Sequence, residues 1–395
     1  MHTVSPMQAL TYDGPWHVVL RDKPLPTLEH PRDALVRVTC AGLCGADLHL
    51  AHGLVPDTRV GATLGHEIVG RVEQVGPDVP NLQPGQRVLV PFNIACGRCP
   101  YCERGLTACC ENSNPESDVA CGVYGFSHTT GGYAGGQAEV VRVPFADVGP
   151  EPVPDDLSDV QAMFLTDALP TGYQAAEMCH LRGGESVAVF GAGPVGLLAM
   201  KSAWLMGAEQ VFAVEPVRYR RDVARDWAGA EPLDPSEVDV ISTLKELTNG
   251  RGVDASIEAV GCEAAGSVMQ RWLGVKAKLV GGSAHALNQA FHATRKGGAI
   301  SLVGVFGPPW NLVDIGTAMN KCQTIRTGQC SVKRYLPRLI EHVREGRLDP
   351  TPLLTHRFTL AQGEEAYEVF GKKQERCIKA AFFPQAGRRT EVAHA

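Results

Sequence analysis

The chain has 395 residues, of which 44% are hydrophobic and 20% are charged, and its formal net charge is −6. These values are typical of a soluble globular protein with two domains, each large enough for its own core. The negative charge argues against a nucleic acid or a membrane as partner. Without a recognisable signal peptide or an apolar stretch long enough to span a bilayer, we expect a cytoplasmic protein.

The first part of the chain combines turn-forming residues with metal-ligating ones. Gly and Pro are frequent, with 43 and 27 residues, and in this part they predict a barrel-like β domain rich in turns. Cys44 and the pair His66–Glu67 lie in it, far apart in sequence. A mixed set of Cys, His and carboxylate ligands can leave one coordination position open, which is typical of a catalytic metal.

Four cysteines follow with the spacing C-x2-C-x2-C-x7-C, namely Cys96, Cys99, Cys102 and Cys110. Disulfides are the alternative to a metal site. The chain has 13 cysteines, an odd number, and the thiols of a cytosolic protein stay reduced. Four thiolates so close together predict a closed, structural zinc site, with Cys110 rather than Cys109 as the fourth ligand.

The middle of the chain reads as a strand, a glycine-rich turn, a helix and a second strand. Ser186–Phe190 is a short apolar run typical of a buried parallel strand, and Gln210–Val214 is another. The turn between them is Gly191-Ala192-Gly193-Pro194-Val195-Gly196, which matches the dinucleotide-binding pattern. Its glycines allow a tight turn and close approach of a pyrophosphate to the start of the helix.

Glu215 ends the second strand, 19 residues after the last glycine of the turn. A carboxylate in this position binds the ribose hydroxyls and repels a 2′-phosphate, so NAD is favoured over NADP. The nearby Arg218, Arg220 and Arg221 leave NADP open, since an arginine here can accommodate the extra phosphate.

Further apolar runs extend the same domain. Residues 253–260 and 299–305 predict strands, and 323–328 predicts the last one. The segment 261–297 is longer than a simple crossover needs, and we interpret it as an insertion near the cofactor followed by a helix.

Together these motifs resemble the zinc-dependent medium-chain alcohol dehydrogenases. Residues 65–70 (GHEIVG), with Gly76 and Val79, are similar to the zinc signature of that family, and residues 44–49 (CGADLH) to its first-ligand segment. Three further stretches, PFNIACGRC, GGQAEVVRVP and FLTDALPTGY, are most similar to the glutathione-independent formaldehyde dehydrogenase branch.

The resemblance implies an α/β protein with a GroES-like β-barrel catalytic domain and a Rossmann domain built on a doubly wound parallel sheet. The first comprises residues 1–168 and 329–395, and the second comprises residues 169–328. It also implies two zinc ions per chain, NAD as cofactor, and a homodimer or homotetramer.

The resemblance supplies roles that the spacing does not. Asp167 would join Cys44 and His66 as the third ligand of the catalytic zinc, with Glu67 as a nearby acid or transient ligand. Asp47 would orient the His66 ring. The other implied roles are the cofactor contacts of Thr171, Arg220, Val303, Val305 and Lys379, and a place in the substrate pocket for Phe92.

Ala46 departs from the family pattern. Relatives usually carry a serine or threonine here, whose hydroxyl passes the alcohol proton by way of the cofactor ribose to a histidine, here His49. An alanine cannot relay a proton. Either a water or the ribose hydroxyl fills the gap, or the substrate needs no relay, as a hydrated aldehyde would not.

We therefore expect an enzyme that transfers a hydride between NAD and a small alcohol or aldehyde, with zinc as Lewis acid on the substrate oxygen. One alternative is an aldehyde-dismutating enzyme that keeps its NAD bound under the insertion. Another is a non-catalytic NAD-binding relative, which only Ala46 favours.

Overall fold

The structure, a computed structural model, describes residues 6–55, 57–261, 284–306 and 312–385. It contains strands and helices as follows. In chain order the strands are β1 (Pro6–Tyr12), β2 (Val18–Pro24), β3 (Ala34–Leu43), β4 (Glu67–Val75), β5 (Arg87–Val90), β6 (Val140–Val143), β7 (Glu151–Pro152), β8 (Ser186–Phe190), β9 (Gln210–Val214), β10 (Glu231–Leu233), β11 (Val253–Glu258), β12 (Thr294–Leu302), β13 (Thr324–Thr327), β14 (Leu354–Phe358) and β15 (Lys379–Phe382). The helices are α1 (Gly45–Ala51), α2 (Pro100–Glu103), α3 (Asp159–Phe164), α4 (Ala168–Glu177), α5 (Pro194–Leu205), α6 (Arg218–Asp226), α7 (Val240–Leu247), α8 (His285–Ala293), α9 (Ile315–Asn320), α10 (Val332–Arg344) and α11 (Gly363–Gly371).

The chain folds into two compact units. Unit 1 comprises residues 1–167, 331–344 and 349–395, and unit 2 comprises residues 168–330 and 345–348. No helix in the parts of the chain that the structure describes is long and apolar enough to cross a membrane.

Unit 1 is built on a seven-stranded sheet, in which β6 pairs with β3 beside the path β14-β15-β3-β4-β5-β7. Its strands pair antiparallel except for β14 and β15. The long strand β3 pairs with three neighbours, and its register with β4 shifts twice, between Leu35 and Val36 and between Val38 and Cys40. Such irregularities bend a strand and increase its twist, which lets the sheet curve around the apolar core of this unit.

Unit 2 is a parallel six-stranded sheet with the order β10-β9-β8-β11-β12-β13. This is the strand order of the Rossmann fold, with its switch point between β8 and β11. Strand β8 is buried along its whole length, as its apolar sequence predicts. The Rossmann prediction is therefore confirmed.

The boundaries of several elements differ from the predicted ones. Strand β12 ends at Leu302, so that Val303 and Val305 lie in the loop beyond it. Helix α5 begins at Pro194, inside the glycine-rich turn, because proline fits the first helical position at no cost in hydrogen bonds. The predicted insertion falls mainly on residues 262–283, which lie outside the described part of the chain, whereas the helix expected after it is α8.

Candidate metal centres and dinucleotide site

The pairing of β3 with β4 explains how two distant residues meet in unit 1. Gly42 on β3 lies opposite Glu67 on β4. Cys44 stands just beyond the end of β3 and His66 just before the start of β4, so the antiparallel register brings them together. The turn between α3 and α4 adds Asp167, which the hydrogen bond from the Phe92 amide to the Thr166 carbonyl (3.1 Å) ties to the barrel.

These residues form a compact buried cluster. The ligand atoms of Cys44, His66, Glu67 and Asp167 all lie within 4.8 Å of one another. The Cys44 sulfur is 3.5 Å from Asp167 Oδ2, and His66 Nε2 is 3.4 Å from the same oxygen. The structure thus brings together the residues that the sequence and the resemblance predicted for the catalytic metal.

The second nitrogen of the His66 ring faces away from this cluster. Nδ1 lies 3.3 Å from Oδ1 of Asp47, which is fully buried in α1. Asp47 Oδ2 accepts the N–H of Cys44 at 2.9 Å and so closes the first turn of the helix. The geometry therefore leaves Nε2 for a metal, as expected for a histidine that a carboxylate orients.

The electrostatics of the cluster suit a cation. Burial alone would lower the pKa of His66, but the Asp47 charge and the contacts with Asp167 and Cys44 raise it well above its usual range. Burial also raises the pKa of the Cys44 thiol, with a further contribution from the Asp167 charge. Cys44, Glu67 and Asp167 place three acidic groups beside one histidine, so acidic groups are in excess. Glu67 Oε2 is also buried, with no hydrogen-bond partner among the described residues. A divalent zinc ion would neutralise this excess, so the donor set fits zinc.

Lys379 supplies a positive charge that the sequence analysis did not place here. Its ammonium donates to Glu67 Oε1, and both side chains are almost fully buried. Ala380, its neighbour on β15, pairs with Leu43 on β3, which brings the lysine to the cluster. Burial alone lowers the pKa of Lys379, but the Glu67 charge outweighs that effect and raises it. The contact with the cofactor pyrophosphate stays a prediction.

Three further predicted residues lie around the same cluster. Ala46 is in the first turn of α1, and His49 is buried near its last turn. The Phe92 ring is buried and lies edge-on to the His66 ring, with the centroids 6.2 Å apart. Phe92 is thus well placed to shape the surroundings of a substrate.

The four cysteines form a second cluster. The sulfur atoms of Cys96, Cys99, Cys102 and Cys110 lie within 4.8 Å of one another, and Cys109 is exposed. Sulfur atoms around a tetrahedral zinc are about 3.8 Å apart, and the upper limit of 4.8 Å found here is compatible with that spacing. The backbone N–H of Cys96 donates to the Cys110 sulfur at 3.2 Å, and the Asn112 amide donates to the Cys96 sulfur at 3.2 Å. Such donors stabilise thiolates, so this set also fits zinc.

The glycine-rich turn of unit 2 has the conformation that a dinucleotide site needs. Gly191 has φ +94°, where a side chain would be strained. A Cβ on Gly196 would lie 1.9 Å from the Gly191 carbonyl oxygen, so only glycine lets the helix start this close to the strand. Gly193 is the N-cap of α5, followed by Pro194 and Val195, and the turn therefore presents the helix N-terminus.

Glu215 and Arg220 flank this turn. The Glu215 carboxylate accepts the N–H groups of Ala192 (2.8 Å) and Val217 (2.9 Å), which fixes it at the end of β9. The Arg220 guanidinium comes within 3.9 Å of a Cβ built on Gly193. Arg221 pairs with Asp234 at 2.6 Å. Arg220 thus lies beside the turn, and Arg221 also donates to the Glu215 main-chain oxygen at 2.8 Å.

The remaining predicted cofactor residues share one pocket in unit 2. Thr171 on α4 lies in it with Val303 and Val305, and the pocket has a volume of about 260 Å³. Glu258, which the sequence analysis did not single out, ends β11 next to the loop that follows β12. The main-chain oxygen of Glu258 accepts the N–H groups of Val303 and Gly304, both at 3.0 Å. An acid inside an apolar strand run was the signal that could have identified it.

Comparisons with known proteins agree with both units. The sequence matches the family described as alcohol dehydrogenase GroES-like domain over residues 30–155 and the family described as zinc-binding dehydrogenase over residues 194–281. It is 39% identical to the zinc-type alcohol dehydrogenase-like protein AdhB of Bacillus subtilis, covering 96% of this chain and all of the relative.

Two further relatives bear on structure and chemistry. The alcohol dehydrogenase TADH from Thermus sp. ATN1 superposes with a TM-score of 0.81 at 36% identity, covering 95% of this chain and 99% of that one. The formaldehyde dismutase of Pseudomonas putida is 32% identical, covering 92% of this chain and 95% of the relative. The predicted GroES-like and Rossmann fold and the predicted family are confirmed.

Proposed function

Because this chain belongs to the zinc-dependent alcohol dehydrogenase family and is therefore a zinc-dependent oxidoreductase, we propose that it interconverts a small alcohol and its aldehyde or ketone, with NAD as the hydride carrier. The buried cluster of Cys44, His66, Glu67 and Asp167 carries this proposal. An acidic, buried set of this kind is costly to fold without a cation, so its presence indicates a working metal site.

We assign the metal ligands as follows. Cys44, His66 and Asp167 hold the catalytic zinc, and Glu67, paired with Lys379, stands beside it. A zinc ion bound by these residues would supply Lewis-acid chemistry at the substrate oxygen, and NAD would serve as the hydride acceptor. Asp47 keeps the His66 ring oriented, and Phe92 limits the space next to it. The second zinc, bound by the four-cysteine cluster, has a structural role.

We assign NAD to unit 2. The N-terminus of α5 would bind the pyrophosphate, and Glu215 would bind the ribose hydroxyls. Thr171, Val303 and Val305 would contact the nicotinamide. NAD is preferred to NADP because a carboxylate at the end of β9 repels a 2′-phosphate, and because Arg221 is already paired with Asp234. The ratio of kcat/KM for the two cofactors measures this preference.

The first experiment combines zinc content with initial rates of NADH formation over primary alcohols, secondary alcohols and hydrated aldehydes. We expect two zinc ions per chain and turnover of at least one class. Asp167→Asn should lose one zinc and the activity, whereas Asp155→Asn, at an exposed acid in the same unit, should keep both. One zinc per chain in the wild type would overturn the proposal.

Substitution of Ala46 distinguishes two routes by which the substrate proton could leave the site. Its methyl group, in the first turn of α1, offers no hydroxyl for a relay. If a water or the ribose hydroxyl replaces the relay, Ala46→Ser should change all substrates alike. If the native substrate needs no relay, Ala46→Ser should help simple alcohols more than that substrate.

Aldehyde dismutation is a second candidate, which the similarity to a formaldehyde dismutase favours. One bound NAD would then oxidise a hydrated aldehyde and reduce a second aldehyde. Equal amounts of acid and alcohol from formaldehyde, with no free NADH, would support it. Stoichiometric release of NADH by a protein purified without NAD would exclude it.

We further propose a homo-oligomer, a homodimer or a homotetramer. Strand β13 ends the sheet of unit 2, and Ile315 and Met319 on the neighbouring α9 are 58% and 72% exposed. A second copy would cover these side chains and the outer edge of β13, which pairs with no other strand in the described part of the chain. Light scattering of the Met319→Lys variant tests whether this surface forms the interface.

The cytoplasmic location stays a prediction, which cell fractionation would test.

A further inference from the structure

Behind the catalytic cluster a chain of buried polar groups continues away from the proposed zinc. Gln137 is fully buried, and its Nε2 lies 3.3 Å from Asp47 Oδ2, the oxygen that also accepts the Cys44 amide. The hydroxyl of Tyr367, on α11, donates to Gln137 Oε1 at 2.7 Å. The groups therefore form one path from Tyr367 through Gln137 and Asp47 to His66.

The tyrosine determines which end of the Gln137 amide faces Asp47. Gln137 Nε2 also donates to the Gly42 carbonyl at 3.3 Å, so this end of the amide meets two oxygen acceptors. Turning the amide over would place its oxygen against both of them. Burial raises the pKa of Tyr367 well above its usual range, and the Asp47 charge adds to the rise, so the phenol stays a donor. Its O–H fixes Oε1 on the far side.

The backbone next to His66 is adapted to the Gln137 side chain. Gly65, directly before His66, has φ +93°, and a Cβ there would lie 2.4 Å from Gln137 Cγ. Glycine thus leaves room for Gln137 to reach Asp47. The Gln137 backbone is held as well, because its N–H donates to the Leu64 carbonyl at 2.9 Å.

We propose that Gln137 and Tyr367 are positioning residues, which hold Asp47 in the orientation that presents His66 Nε2 to the catalytic zinc. The inference rests on the proposed zinc site. Neither side chain is assigned a contact with the metal or the substrate, and both act through Asp47. Groups that orient the partner of a metal-bound histidine raise the affinity of the site for its metal.

The test measures zinc affinity by competition with a chromogenic chelator. Tyr367→Phe removes one oxygen atom, and Gln137→Met keeps the length of the side chain without its amide. For Gln137→Met we expect zinc binding at the catalytic site to weaken by roughly 10–100-fold, the range for outer partners of metal ligands, and for Tyr367→Phe by less. The four-cysteine site should keep its zinc in both variants.

Three controls separate positioning from general destabilisation. Tyr133→Phe deletes a hydroxyl that donates to the Ser113 carbonyl at 2.7 Å in the same unit, and it should leave affinity at the catalytic site unchanged. With Asp47→Asn as background, Tyr367→Phe should have little further effect. In the cobalt-substituted protein, the visible absorption of the catalytic site should change in Tyr367→Phe and not in Tyr133→Phe.

The outcomes are distinguishable from failure of the proposed function. If wild type binds two zinc ions and both Gln137→Met and Tyr367→Phe retain wild-type affinity, the positioning role is overturned while the zinc site stands. Equal losses in Tyr133→Phe and Tyr367→Phe would also overturn it. If wild type binds a single zinc, the proposed function itself fails.

Discussion

Glu258 should make the stability of the protein depend on pH in an unusual direction. It ends β11, and its Oε1 accepts the N–H groups of Val260 (3.0 Å) and Gly261 (2.8 Å). Its Oε2 is buried and has no hydrogen-bond partner among the residues that the structure describes, and it lies against the space that Gly304 leaves open. Burial outweighs these hydrogen bonds and raises the pKa of Glu258 from 4.5 to about 7.

The direction and the size of the effect of pH on stability follow from this shift in pKa. Below pH 4.5 the carboxyl is neutral in both states. Between that pH and about 7 the unfolded chain loses the proton and the folded protein keeps it, so stability falls as pH rises. The whole shift corresponds to about 3 kcal/mol, most of which is lost between about pH 5 and pH 8.

Glu258→Gln keeps an oxygen for the two backbone donors and removes the ionisation. We expect the variant to become more stable relative to wild type by about 2.5 kcal/mol as pH rises from about 5 to 8. Urea unfolding of the zinc-loaded proteins at both pH values measures this. Glu231→Gln, at an exposed position on β10, is the control. If the free energies of unfolding of Glu258→Gln and wild type differ by the same amount at both pH values, within about 0.5 kcal/mol, the raised pKa of Glu258 is refuted.

Three more tests, each with two substitutions, concern the glycine-rich turn and the two metal centres. Gly196→Ala places a Cβ 1.9 Å from the Gly191 carbonyl oxygen and should lower both the NADH affinity and the melting temperature. The Cβ of Gly193→Ala meets nothing closer than 3.9 Å, so this variant should lower only the NADH affinity. A fluorescence titration should show a loss on the order of tenfold. Lys379→Met leaves Glu67 buried and without its lysine, and should lower the free energy of unfolding in urea by about 3–5 kcal/mol. Adding Glu67→Gln to the same chain should restore part of that loss. If the effects of the two substitutions simply add, the pairing is contradicted. Cys110→Ser should reduce zinc from two ions to one by elemental analysis, whereas the exposed Cys109→Ser should keep two, and the reverse result would reassign the fourth ligand.

The local motifs could be read from the sequence because each depends on short spacing. The four cysteines must meet within one loop, whatever the rest of the fold does. The run from Ser186 to Gly196 likewise specifies a buried strand, a tight turn and a helix start from neighbouring residues alone. Family resemblance was needed for Asp167, since nothing in its own surroundings marks a metal ligand.

The partners around the catalytic cluster could not be read in the same way. Lys379 is 312 positions from Glu67, and Tyr367 is 230 positions from Gln137. Neither residue has a spacing that relates it to its partner. The pairing of β15 with β3 and the packing of α11 bring them together, and these contacts depend on the whole of unit 1.

The sequence by itself determined the Rossmann turn and the four-cysteine site, because residue type and near-neighbour spacing are enough to define them. Its motifs together determined the family, and Asp167 became a candidate ligand only through that resemblance. Tertiary structure alone decided which charges share the buried site. It paired Lys379 with Glu67 and linked Tyr367 through Gln137 to Asp47. It also buried an oxygen of Glu258 where no described residue offers a hydrogen bond. Burial and long-range contact set the energy of these groups, and both arise only when distant strands pair.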